Sequence, residues 1–231
     1  MNIVKFEDVF NPCSVKDRIH IIGCGAGGST IAELFARYGL TKITLYDFDR
    51  VESHNIANQM FRDADIGRLK TEALKDIICE INPDAESDIR LENEGWQGQR
   101  LSGYVFLCVD TIELRREIVE ANRRNPMIKV MFDFRNRLYD AQHYAALWAD
   151  KDEIDNFYES MNFTHEEAMA ETPMSGCNLP LSVAPTLRII CSYGVANFIN
   201  HLMGFPLKRK IETFSAGDHF DFDLGAYGNV K

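Results

Sequence analysis

No stretch of the 231 residues approaches the roughly 20 consecutive apolar side chains that a membrane-spanning helix requires. Residues 1–8 contain no basic segment followed by an apolar one, so a secretory leader is not expected and the cytoplasm is the expected compartment. Cysteine occurs six times but never as Cys-x-x-Cys, which speaks against a zinc knuckle and, in a chain of this size, against a disulfide framework. Cys24, Cys79, Cys108 and Cys191 lie in apolar or helical contexts and are expected to be buried small hydrophobes. No His-x-x-x-His or His/Cys cluster offers a catalytic metal site, and no Gly-x-Ser-x-Gly elbow marks a hydrolase. Basic residues are the scarcer charge, 25 against 35 acidic, for a net charge of −10. Their clusters are short, Arg115-Arg116, Arg123-Arg124 and Lys208-Arg209-Lys210, and read as solvated faces. Nucleic acid is therefore not an expected partner.

What remains is a chain that is 45% hydrophobic and 26% charged, enough for one sizeable core. Residues 18–22 read as a strand that runs into a glycine-rich turn. A helix over 29–38 and a second strand over 42–46 follow, the latter ending at Asp47. After a polar stretch, 48–67, a helix over 70–80 stops at Asn82-Pro83. An apolar strand over 101–109, a helix over 112–124, a strand over 127–132 and an edge strand over 139–148 complete the alternation. The pattern predicts an α/β fold, a Rossmann-like, doubly wound and mostly parallel sheet with an additional C-terminal strand and helix region. One domain is expected, with a core over 18–135, a mobile acidic crossover loop over 150–186, and a C-terminal helix and strand over 187–231. The long apolar helix at 187–203 suits either internal packing or a dimer face.

The chemistry concentrates in two stretches. The first is Gly23-x-Gly25-x-x-Gly28, between a strand and a helix. Glycine lets the backbone turn sharply and approach a phosphate, and the helix start offers free N–H groups and a favourable dipole. Gly23, Gly25, Ala26 and Gly28 are thus candidate phosphate contacts. Asp47 lies about 20 residues beyond the turn, where an acid holds a ribose. These features alone permit NAD or FAD, hence an oxidoreductase. The second stretch runs Asp47-Phe48-Asp49-Arg50-Val51, then Asn55-Ile56-Ala57-Asn58-Gln59, then Ile66-Gly67-Arg68-Leu69-Lys70. Asn55 and Gln59 carry amides able to donate to phosphate oxygens, or alternatively to cap turns. Asp110 closes the apolar strand and precedes Thr111 and Arg115; it would serve equally as the N-cap of the next helix.

Together these stretches resemble the ThiF–MoeB–ubiquitin-activating family, whose pattern is Asp-x-Asp-x-Val, Ser-Asn-Leu-x-Arg-Gln and Ile-Gly-x-x-Lys. The resemblance covers residues 18–135 and, more loosely, 177–204. It implies binding of ATP and Mg²⁺ and adenylation of the C-terminal carboxylate of a small ubiquitin-like or ThiS-like sulfur-carrier protein by a homodimer. Lys70 would meet the phosphates, Asp110 the Mg²⁺, and Asp49, Asn55, Asn58 and Gln59 would line the nucleotide. Asn58 stands where the family carries an arginine, and Arg62 or Arg68 is a candidate replacement. Cys177, followed by Val183-x-Pro185, matches a family cysteine that in some members accepts the activated acyl group. The resemblance also leaves open a tRNA-linked or peptide carboxylate as acceptor, or a relative that binds nucleotide without turnover. At 231 residues a minimal activator is expected, without the further domains of a full ubiquitin-activating enzyme.

Overall fold

Strands that expose no residue to solvent must be covered on both sides, and three of them organise this chain. They are β1 (Ile19–Ile22), β2 (Ile43–Tyr46) and β4 (Gly103–Leu107), buried at every position. In the computed structural model, which describes residues 1–177, 180–214 and 223–227, they sit in one eight-stranded sheet. The other strands are β3 (Arg90–Glu92), β5 (Ile128–Asn136), β6 (Ala141–Leu147), β7 (Lys210–Phe214) and β8 (Asp223–Tyr227), in the order β3-β2-β1-β4-β5-β6-β7-β8. From β3 to β5 all pairings are parallel, and from β5 to β8 all are antiparallel.

The helices divide between the two faces. On one, α1 (Ala26–Arg37), α2 (Lys70–Ile81) and α6 (Ala184–Leu202) share a core with Ile19, Ile21, Leu45, Phe106 and Phe132. Phe198 of α6 lies edge-on to Phe35, Phe106 and Phe132, with ring centroids 5.5, 5.3 and 5.5 Å away. On the other face, α3 (Ile112–Asn122) and α4 (Lys151–Glu159) bury Ile118, Val119, Ile154 and Phe157 against Ile22, Val105, Leu107 and Met131. This is the doubly wound α/β arrangement that alternating strands and helices foretold. No helix among the described residues is long and apolar enough to cross a membrane.

Three sequence expectations need correction. The strand read as an edge is interior: β6 pairs with β5 on one side and with β7 on the other, because β7 arrives from beyond α6. The crossover read as a loop over 150–186 contains α4 and α5 (His165–Ala170). Asp150 caps α4 by accepting from the amides of Asp152 and Glu153, and Thr164 caps α5. Ile154 and Phe157, spaced three apart, give the first of these helices a buried face within an acidic sequence, continued by Met161 just beyond its end. Finally, the C-terminal region holds two described strands rather than one, and its helix begins three residues earlier than expected, at Ala184 with Pro185 in its first turn. Much of the apolar surface of α6, including Leu187, Ile190, Val195 and Phe198, is spent inside the chain.

His143 on β6 is fully enclosed between these layers, its ring 4.5 Å from that of Phe134 and beneath Gly194. A Cβ on Gly194 would fall 2.2 Å from the Phe134 ring, so α6 approaches the sheet here as only glycine allows. The Asn197 Nδ2 donates to the carbonyl of Lys208, which also sets it as donor to His143 Nε2 at 3.1 Å. The Nδ1 proton of the neutral ring then has no partner. Burial pushes the His143 pKa down from 6.5 to about 3. Below pH 6.5 the unfolded chain takes up a proton that the folded chain refuses until about pH 3, so folding stability falls with pH through that window. Each such histidine contributes up to about 1.4 kcal/mol per pH unit. Urea unfolding between pH 7 and 4.5 should therefore show a shallower pH dependence for His143→Leu than for the wild type; parallel slopes would disprove the assignment.

Candidate functional site

The carboxyl ends of β1, β2 and β4 lie side by side, since Ile22 is in register with both Tyr46 and Leu107. Ligands of open parallel sheets bind outside such ends. The turn after β1 is held by close packing. Gly23 has φ +95°, and a Cβ there would lie 2.7 Å from the carbonyl of Cys108. A Cβ on Gly28 would meet the Gly23 carbonyl oxygen at 1.9 Å, so only glycine fits there, and α1 begins at Ala26, three residues earlier than expected, with two glycines in its first turn. A Cβ on Gly25, by contrast, would meet no atom within 4 Å, so the outer side of this residue is open space. The first amides of α1, beside that opening, have no partner within the helix.

Asp47, at the end of β2, joins this turn to the next loop. Its Oδ2 accepts from the Cys24 amide at 2.6 Å and its Oδ1 from the Asp49 amide at 2.8 Å. Burial raises its pKa against the opposing pull of those amides and of Lys70. The chain then runs antiparallel to itself: Arg50 bridges Leu69, Val51 donates to the Arg68 carbonyl, and Lys70 donates to that of Asp49. This ladder places Lys70, the first residue of α2, with its ammonium 2.7 Å from Asp49 Oδ2. A cation in a first helical turn opposes the helix dipole, and the Asp49 carboxylate offsets that cost.

Asn55 is buried and its Oδ1 accepts from the Glu52 amide at 2.9 Å, so half of its amide is committed to capping the 3-10 turn Ser53–Ala57. Gln59 holds a buried Oε1 with no partner, a polar atom left for something else to satisfy. Asn58 caps the same turn with its backbone. Neither candidate replacement arginine is free. Arg62 binds Asp65 and Glu80, and Arg68 binds Asp65 and Asp76. Glu80 is ten residues along α2 from Lys70, about 15 Å at the helical rise, so Arg62 is directed away from the lysine.

Past β4, Asp110 is exposed and is not the helix cap; that position is Thr111, and no side-chain capping bond is made. Asp110 directly follows the Cys108–Val109 backbone that packs on Gly23. Arg115 secures this strand end from inside by donating to the carbonyls of Leu107 and Val109 and to Asp133. Asp133, fully buried on β5 opposite Leu107, also receives Arg135 at 2.5 Å. Burial and the neighbouring Arg135 lower the Arg115 pKa to about 9, and burial lowers that of Arg135 to about 10. Arg135 reaches Ser160 after α4 at 2.7 and 2.9 Å. The His165 amide of α5 donates to Glu113 in the first turn of α3 at 3.0 Å, so the crossover lies beside Asp110. Sequence reasoning passed over this buried trio, although an acid and a base alternating with Phe132 and Phe134 in an apolar strand signal it.

The structure thus brings together the glycine turn, Asp47, Asp49, Lys70 and the Asp110 segment at one edge of the sheet. Cys177 is exposed, in a loop closed by a Met174–Pro180 bridge, and no contact among the described residues joins it to that edge. Among the described residues no group of three or more His, Cys, Asp or Glu is arranged to hold a metal. A hollow lined by Arg123, Arg124, Trp148 and Lys151 lies at the start of β5, the opposite edge of the sheet.

Comparison with known proteins agrees with this geometry. The model of the ThiF family matches residues 14–223. Ubiquitin-like modifier-activating enzyme 5 of Drosophila erecta is 33% identical over 143 residues, 54% of this chain and 34% of that protein. Its counterpart in Arabidopsis thaliana is 41% identical over 66 residues, 29% of this chain and 15% of that protein. The chain therefore spans about a third or less of these relatives' length. Among solved structures, PaaA superposes with a TM-score of 0.64 at 18% identity, covering 92% of this chain and 64% of PaaA. Escherichia coli MccB with ATP gives 0.63 at 18%, covering 93% and 64%.

The two glycines should separate cleanly on substitution. Gly28→Ala should lose about 1–3 kcal/mol of stability through overpacking, whereas Gly25→Ala should stay within about 0.5 kcal/mol of wild type. Denaturant midpoints measure both, and equal effects would contradict the packing described.

Proposed function

This chain belongs to the ThiF family, and on that premise we propose that it uses ATP and Mg²⁺ to adenylate the C-terminal carboxylate of a small ubiquitin-like or ThiS-like carrier protein. The observation that carries the reading is the convergence, at the ends of three adjacent parallel strands, of an open glycine turn, the Asp47–Asp49–Lys70 chain of contacts and Asp110. Membership supports nucleotide use in place of the NAD chemistry that the glycines alone would permit, since a dehydrogenase gives no task to Lys70 or Gln59.

In this reading the amides of the turn, from Gly25 and Ala26, and the α1 dipole face the phosphates. Asp47 keeps lone pairs for ribose hydroxyls beside the two amides it already binds. Lys70 exchanges Asp49 for phosphate oxygen. The amide nitrogens of Asn55, Asn58 and Gln59 are the donors this loop offers to phosphate oxygens, while the buried Gln59 Oε1 is an acceptor suited to a hydroxyl or water. The acceptor carboxylate oxygen forms a bond to the α-phosphorus as the bond to the bridging oxygen breaks, pyrophosphate carrying off that electron pair. A lone exposed carboxylate such as Asp110 suits a Mg²⁺ held chiefly by phosphates, and no resident three-ligand site exists among the described residues. When bound, the ion neutralises charge on the phosphates.

The enzyme 5 relatives are named for activating a ubiquitin-like modifier, and MccB has been crystallised with the peptide MccA. Both support a flexible polypeptide tail as acceptor, over a tRNA-linked carboxylate that a charge of −10 disfavours. A second stage, in which the Cys177 thiolate attacks the acyl-adenylate and releases AMP, is supported by the exposure of that thiol on the crossover. Homodimer formation, where it occurs, has to use surface other than the buried side of α6.

Wild-type protein should be stabilised against heat by ATP with Mg²⁺ but not by NAD, and should catalyse ATP–pyrophosphate exchange with a carrier protein ending in Gly-Gly. Lys70→Met should lower that exchange by about a hundredfold or more. A protein that NAD stabilises and ATP does not would refute the proposal.

A further inference from the structure

The nucleotide cleft is short of positive charge. Among the described residues its edge carries Asp47, Asp49 and Asp110, and Lys70 is already paired with Asp49. Arg62 and Arg68 are held by carboxylates on and before α2, and Arg50 is held by the Gly67 carbonyl at 2.7 Å. A triphosphate brought there needs a further cation, because developing charge on the phosphates is uncompensated by the protein otherwise.

One arginine is placed to supply it. Arg188 is exposed on the second turn of α6, whose preceding residue packs on the head of α1: the Leu187 side chain lies 3.9 Å from where a Gly27 Cβ would be. One turn further on, Cys191 Sγ lies 3.8 Å from the Gly27 carbonyl. The Arg188 Nη2 is 3.6 Å from Met60 Sδ, a weak acceptor. Met60 follows Gln59 directly, and its amide donates to Ser29 of α1 at 3.2 Å. Among the described residues no carboxylate lies within 4.0 Å of the guanidinium nitrogens of Arg188. Among the described residues Arg188 is therefore a cation whose one recorded contact is a thioether, at the junction of α1, α6 and the turn that carries Asn58 and the unpartnered Gln59 Oε1.

Resting on the reading of this cleft as an ATP site, we propose that Arg188 is its second phosphate-binding cation, serving from α6 in the place that Asn58 leaves unfilled. Planar guanidinium donors suit phosphate, and the long side chain can leave the thioether without breaking an ion pair.

Calorimetric titration of the full chain with ATP and Mg²⁺ tests this. Arg188→Ala should bind about tenfold to a hundredfold more weakly than wild type, the loss of one charge-assisted contact. Its affinity for adenosine and its apo melting temperature should not change. Arg188→Lys should recover part of the affinity, and Asn58→Arg in the Arg188→Ala background should recover most of it. Arg188→Ala binding ATP within twofold of wild type, while Lys70→Met fails to bind, overturns the role of Arg188 and leaves the ATP reading standing. Equal weakening toward ATP and adenosine overturns it too, since the effect would not lie at the phosphates. A wild-type chain that binds no ATP overturns both.

Discussion

Asp47 accepts two main-chain hydrogen bonds, from Cys24 in the glycine turn and from Asp49 in the following loop, and most of the cleft is positioned through them. The first bond fixes the turn relative to β2; the second starts the chain on the path that returns as the Arg50–Leu69 ladder and delivers Lys70. Backbone donors to a carboxylate are charge-assisted and so stronger than neutral contacts. Burial works against them by favouring the neutral acid, and the amides hold the charged form in place. A ribose-binding acid in this setting is also a structural tie, so its two roles cannot be separated by removing its charge.

On the other side of β1 the same task falls to a guanidinium. Arg115 caps the carbonyls at the end of β4 and shares Asp133 with Arg135, which in turn reaches Ser160 beyond α4 and stacks 4.5 Å from the Tyr144 ring. Two cations on one buried carboxylate are hard to desolvate, as the lowered pKa values of both arginines reflect. What the arrangement secures is position: the segment bearing Asp110 and the end of α4 are pinned to a common point on β5. Losing one member of such a buried set typically costs about 3–5 kcal/mol, because the remaining charges lose compensation.

Local signals carried well from sequence to structure. The glycine turn, Asp47 just past β2 and Lys70 at a helix start all depend on neighbours within a few residues, whereas the strand expected to run to Asp110 stops at Leu107. Features set by distant pairing were not legible. Asp133 meets Arg115 only once α3 packs beside β5, and β3, three residues long, shows no periodicity of its own. That β6 is interior depends on β7, which is separated from it by three helices. Arg62 and Arg68 looked available because Glu80 and Asp76, their partners, follow them by 18 and 8 residues and meet them only once α2 is folded. Arg188, 128 residues from Met60, was invisible for the same reason.

The Arg50–Leu69 bridge has a consequence for variation among relatives. It makes residues 51–68 an excursion that leaves and re-enters the fold at one point, with Asp49 and Lys70 flanking its mouth. Closing such a loop costs little more when it is lengthened. Insertions within it can therefore leave the acid and the lysine at its neck at their present spacing.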